Sequence, residues 1–91
     1  MANPRRRVDL DTVRTLARAS AIRQARIRPY GAGYRLEVDY GDVTAIVEKA
    51  HGGLRVFRKI DTPARFLLDQ GVGDIRVVPD GYNQRDQAEL L

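Results

Sequence analysis

Cysteine is absent from this 91-residue chain, and histidine and serine occur once each. Without cysteine there is no disulfide, no thiolate nucleophile and no cysteine-ligated zinc or iron–sulfur site. His51 lies in the turn "HGG" with no second histidine to share a metal and no serine nearby to activate. A catalytic histidine needs a positioned partner, so His51 reads as a turn residue. Ser20 falls at a helix end and reads as structural. Long apolar runs are missing too, so no segment is expected to span a membrane. The start "MANPRRRVDLDTVRTLARA" has the basic residues of a signal peptide without the apolar core that should follow them. No Walker lysine motif is present. "GAGYR" leads into a strand rather than a helix, so its glycines serve a hairpin and not a dinucleotide. The expectation is a non-enzymatic cytoplasmic protein with no catalytic residue, no metal site and no cofactor.

What is present is enough for one core. Apolar residues make up 43% of the chain, and a domain of this length buries roughly 60–65% of its unfolded surface. Net charge is +4 but unevenly placed. Residues 1–28 carry eight arginines against Asp9 and Asp11, whereas residues 61–91 carry three against six acids. Such polarity suits a polyanionic partner at the basic end. It also suits a solubilising arm followed by a charged helix face.

Residues 1–7 show no apolar pattern and are expected to form a flexible basic arm, followed by one domain over 8–79 and a loosely ordered tail over 80–91. Leu10, Val13, Leu16 or Ala17, and Ala21 recur at helical spacing, with Asp9 or Asp11 as the cap. Four period-two segments follow. "QARIRP" alternates Ala25 and Ile27 with Gln24, Arg26 and Arg28. "GYRLEVDY" sets Tyr34, Leu36, Val38 and Tyr40 against Arg35, Glu37 and Asp39. "DVTAIVEK" sets Val43, Ala45 and Val47 against Thr44, Ile46 and Glu48. "LRVFRKI" sets Leu54, Val56 and Ile60 against Arg55, Phe57 and Lys59. Glycines in the joints provide hairpin turns. Asp61 or Thr62 then caps a second helix, with Pro63 in its first turn, Phe66 and Leu67 facing inward, and Gly71 as its stop. "DIRVV" is a fifth strand, parallel to the fourth and antiparallel beside the first. The predicted fold is α+β: two layers, a mostly antiparallel five-stranded sheet in order 5-1-2-3-4, elements α-β-β-β-β-α-β, and both helices on the Leu36/Val38 face.

The side of the sheet away from the helices would then gather charge. Arg26, Arg28 and Arg35 would share it with Arg55, Phe57 and Lys59, and cations around an aromatic can hold nucleic acid by phosphate attraction and base stacking. With the arm arginines Arg5, Arg6 and Arg7 and the helix arginines Arg14 and Arg18, these form a candidate DNA- or RNA-binding set. The competing reading has Phe57 covered by arginine stems or by the C-terminal tail. Glu37 and Asp39 are expected to pair with arginines across strands rather than bind a cation. The motifs of an RNA-recognition fold are missing, and strands follow residue 22 where a helix-turn-helix would need a second helix.

The order of these pieces resembles the small ParC-type partition-associated proteins of plasmids and integrative conjugative elements, which are unrelated to the topoisomerase subunit of the same name. The shared pattern is "VRTLARASAIRQARI", the hairpin "GAGYRLEVDYG", then "RVFRKIDTPARFLLDQGVGDIRVV" and a late tyrosine, here Tyr82. It covers roughly residues 8–82 and identifies no functional residue. The resemblance implies an accessory role in maintaining or segregating mobile DNA. Two classes of partner are open: nucleic acid itself, or a larger partition or replication protein. The latter would dock through an edge strand such as the fourth, or through the Leu90–Leu91 end.

Overall fold

The computed structural model describes residues 5–78, which form β1 (Arg5–Val8), α1 (Leu10–Arg18), β2 (Ile22–Tyr30), β3 (Gly33–Tyr40), β4 (Val43–Val47), α2 (Asp61–Asp69) and β5 (Ile75–Val77). The fold is α+β, with a five-stranded mixed sheet in the order β1-β4-β3-β2-β5. Val13 of α1 and Leu67 of α2 are fully buried in one cluster with Ala25, Ile27, Leu36, Val38, Ala45 and Val47. Both helices therefore cover the same sheet face, the one predicted. The other face is open among the described residues.

The central meander follows the alternation in the sequence. Two-residue loops join β2 to β3 and β3 to β4, each led by a glycine with positive φ, Gly31 at 59° and Gly41 at 55°. Those turns fix the register, setting Ala25 opposite Val38 and Val38 opposite Ala45. A slip of one residue would turn all these side chains to the open face. Asp9 caps α1 by accepting the Thr12 backbone N–H at 2.9 Å. The Ala21 N–H then closes the helix on the Leu16 carbonyl, with Ser20 in the left-handed position at φ 56°. α2 ends the same way at Gly71, where the Val72 N–H reaches the Leu67 carbonyl.

The predicted sheet is corrected in three places. Residues 5–7, expected as arm, belong to an edge strand parallel to β4. β1 takes the outer place that had been given to residues 54–60. Those residues form no strand and touch the sheet through single bridges, Leu54 with Glu48 and Phe57 with Tyr34. Tyr34 lies on the core face, and paired residues share a face. Phe57 is accordingly turned inward, 8% exposed, whereas Val56 is 44% exposed. At Val56 and Phe57 the expected placement is reversed, whereas Ile60 packs against the core as expected.

β5 does lie beside β2, but parallel to it. With no fourth meander strand to reverse direction, the chain crosses once from β4 over α2 and arrives in the β4 direction. Two of the four strand pairs are thus parallel, so the sheet is mixed rather than mostly antiparallel. Tyr34 gives both its N–H and its carbonyl to Phe57, at 2.8 Å each, so its β2 partner Pro29 points its backbone toward β5. Proline has no donor there; the last bond to β2 among the described residues runs from the Val78 N–H to the Ile27 carbonyl.

α2 also departs from expectation. Its cap position is Ile60, with no side-chain cap from Asp61 or Thr62. Leu67 is buried and Phe66 packs against the core, as expected, with Leu68 61% exposed beside them. Residues 1–4 and 79–91, including the tail, Tyr82 and Leu90–Leu91, lie outside the described residues.

Candidate nucleic-acid interface

The open face is built by the residues that alternate with the core. Register lines Arg7, Ile46, Glu37, Arg26 and Arg76 across all five strands in one row. Asp39 stands between Gln24 and Thr44 in the next row, and Arg28 opposes Arg35 on the other side. Thus Arg7, Arg26, Arg28, Arg35 and Arg76 share the face with Glu37 and Asp39, while Asp74 at the rim lies 3.6 Å from Arg76.

Glu37, only 5% exposed, is the hub. Its Oε1 accepts from Arg26 Nε and Arg28 Nε at 3.1 Å, and its Oε2 accepts from Arg35 Nε at 3.1 Å and Nη2 at 2.8 Å. Arg26 also clamps Asp39 with two bonds of 2.7 and 2.8 Å and reaches Gln24 at 2.9 Å. Thr44 donates to Asp39 at 2.8 Å. These carboxylates are committed to cross-strand pairing, as the sequence indicated. Burial alone would raise the Glu37 pKa, but hydrogen bonds from Arg28, Arg26 and Arg35 outweigh it and hold the carboxyl below its ordinary value. Asp39 is likewise lowered, chiefly by Arg26, against burial and with help from Thr44.

The network consumes the guanidinium groups unequally. Arg26 donates to it from all three nitrogens. Arg28 donates to it through Nε alone, and its side chain is 41% exposed, which leaves two outward nitrogens. Arg7 and Arg76 are exposed. The face also has an aromatic. Tyr30 continues the outward alternation of Arg26 and Arg28, is 43% exposed, and has the Arg35 guanidinium 5.7 Å from its ring centroid.

The predicted site residues divide between the two layers. Arg7, Arg26 and Arg28 come together on the open face. Arg5 pairs in register with Thr44, and Arg6 pairs with Ala45 and is exposed. Arg14 lies over the Phe66 ring at 5.6 Å and pairs with Asp11; Arg18 ends α1 exposed. Arg55 was expected on the sheet face but lies over the Phe57 ring at 5.8 Å. It lines a hollow of about 240 Å³ with Asp9, Asp11, Arg14 and Glu48, where acids outnumber bases. Lys59 is exposed in the bend before α2. Phe57, being buried, cannot stack on a base. A second hollow of about 480 Å³ along α2 is lined by Asp61, Arg65 and Asp69 with Thr62 and Phe66. Neither hollow offers the excess of positive charge seen on the sheet.

Tyr30 lies one residue beyond the predicted end of the first strand at Pro29. One more step of the same alternation identifies it. Arg76 follows from the same alternation, since it lies between Ile75 and Val77 and pairs with Arg26. Among the described residues no group of three or more histidine, cysteine or acidic side chains is placed to hold a metal, and no helix is long and apolar enough to cross a membrane. No protein-family model matches the chain, and no curated protein matches it.

Proposed function

We propose that this is a non-enzymatic, nucleic-acid-binding accessory protein whose contact surface is the open sheet face, acting in partition or maintenance of a plasmid or mobile element. The observation that carries this reading is the surplus of arginine over carboxylate on one flat face, set against the mixed charge of the helix layer. Arg7, Arg28 and Arg76 supply the phosphate contacts; Arg26, Arg35 and Glu37 hold the surface together. The partition role rests on the resemblance in the sequence and the binding role on charge placement.

Contacts of this kind are sequence-independent and salt-sensitive, because each neutralised phosphate releases counterions. Binding should be measurable by fluorescence anisotropy with a labelled oligonucleotide over a salt series. Arg7→Ala and Arg76→Ala should each weaken binding to all sequences alike and lower the log–log salt slope by about 0.7 to 0.9. Both residues lie outside the Glu37 network, so the fold should be unaffected. Slopes that fall with Arg14→Ala and Arg18→Ala instead would move the interface to the helix layer.

One observation favours docking onto a larger partition or replication protein. β5 is a three-residue edge strand with Val77 half-exposed, and such an edge can accept a partner strand. That partner would survive high salt, which the arginine face would not.

A further inference from the structure

The face proposed above as the phosphate-binding surface also has a width and an aromatic end, and together they select between forms of nucleic acid. Neighbouring strands stand about 4.8 Å apart, so five strands span about 19 Å. The major groove of duplex DNA is about 12 Å wide and admits a helix or a two-stranded ribbon. This face cannot enter it. On an undeformed duplex it could meet only the outer phosphates, whereas an unpaired strand can lie flat across it with its bases turned down.

Tyr30 is placed to receive such a base. It closes β2 on the open side, beside the hairpin, and beyond the reach of β5, which ends at Val77. Arg28 and Arg35 flank it as a cross-strand pair. Both are anchored at Nε by Glu37, and Arg35 is held over the ring by its further bond through Nη2. Little side-chain freedom therefore remains to be lost on binding, which favours affinity. The carboxylate that binds three arginines thus also fixes the cations around the ring.

Resting on the phosphate-binding reading, we infer that Tyr30, with Arg28 and Arg35, is a base-stacking site, and that the ligand is single-stranded nucleic acid in preference to duplex. Stacking on an aromatic is tolerant of sequence, since every base has a π-face. The preference is therefore for unpaired bases of any identity.

The test uses the full chain with a labelled oligothymidylate and a mixed-sequence duplex of equal length. Tyr30→Ala should weaken single-strand binding by about 5- to 150-fold and duplex binding by less than about twofold, since duplex bases are stacked on one another and only outer phosphates are within reach. Tyr30→Phe should restore single-strand binding. The chain contains no tryptophan, so Tyr30→Trp introduces one reporter, whose emission should be quenched by the oligothymidylate and not by the duplex. If Tyr30→Ala weakens both ligands alike or neither, the stacking site is overturned while the phosphate-binding face stands. If the unmodified chain binds neither ligand at low salt, both fall together.

Discussion

Glu37→Gln should lower the stability of the fold by about 3 kcal/mol. Removing one partner of a buried ion pair typically costs about 3–5 kcal/mol, because the other partner keeps its charge without compensation. Here Arg26 retains Asp39, but Arg28 and Arg35 lose their shared carboxylate and face each other as like charges across β2 and β3. The loss falls at the low end because Glu37 is covered by the arginine side chains themselves, which can turn outward to water. Urea unfolding should show a lower midpoint with an unchanged slope. Acid should act through the same groups. Glu37 and Asp39 have folded pKa values below their ordinary 4.5 and 3.8. Their contribution is complete above those values and is lost as pH falls through the lower folded ones. Stability should therefore hold down to about pH 5 and decline below about pH 4, and the glutamine variant should lose less over that range. A variant as stable as the parent in urea would remove Glu37 as the hub of the face.

Gly33→Ala should cost a comparable amount for a different reason. Gly33 is buried, and a Cβ there would stand 2.3 Å from the Phe57 carbonyl oxygen and 2.9 Å from Val56 Cγ1. Val56 is exposed and can rotate away. The carbonyl cannot move without breaking its 2.8 Å bond from the Tyr34 N–H. That bond, with its reciprocal partner, holds Phe57 in the core. Overpacking costs about 1–3 kcal/mol, and each lost hydrogen bond adds about 1 kcal/mol, which places the total near 3. For a domain of this size that is a drop in melting temperature on the order of 15 °C. An unchanged melting temperature would show that residues 54–57 do not clasp the sheet edge in solution.

Both variants probe places where the chain's signals differ in range. The meander was legible because its cues are local: alternation from Ala25 to Val47, glycine-led turns, and a register that only one face satisfies. Asp9 as cap and Gly71 as stop were legible for the same reason. The open-face positions of Arg26, Arg28 and Arg35 followed directly from alternation, and so did their pairing with Glu37 and Asp39.

The rest depended on partners distant in sequence. "RRRV" carries no strand pattern of its own and becomes β1 by pairing with Thr44 to Val47. "LRVFRKI" has apolar residues on both parities, so its bridge to Tyr34, 23 residues away, decides that Phe57 turns inward. Once that segment fails to cross the sheet, the direction of β5 reverses, and β5 lies parallel to β2. The aromatic that belongs among the arginines is Tyr30, hidden behind a proline that removes a backbone donor on one side of β2 without ending the strand.

On the proposed reading, nucleic acid meets the open sheet face and leaves the helices free. Amide and arginine side-chain NMR shifts, followed during titration with a single-stranded oligonucleotide at low salt, report which face is touched. The predicted result is that shifts concentrate on Arg7, Arg28, Arg35, Arg76 and the Tyr30 end of β2, with α1 and α2 unmoved. Shifts centred on Arg14, Arg18 and Arg55, or none anywhere at about 50 mM salt, where phosphate contacts are strong, would contradict it.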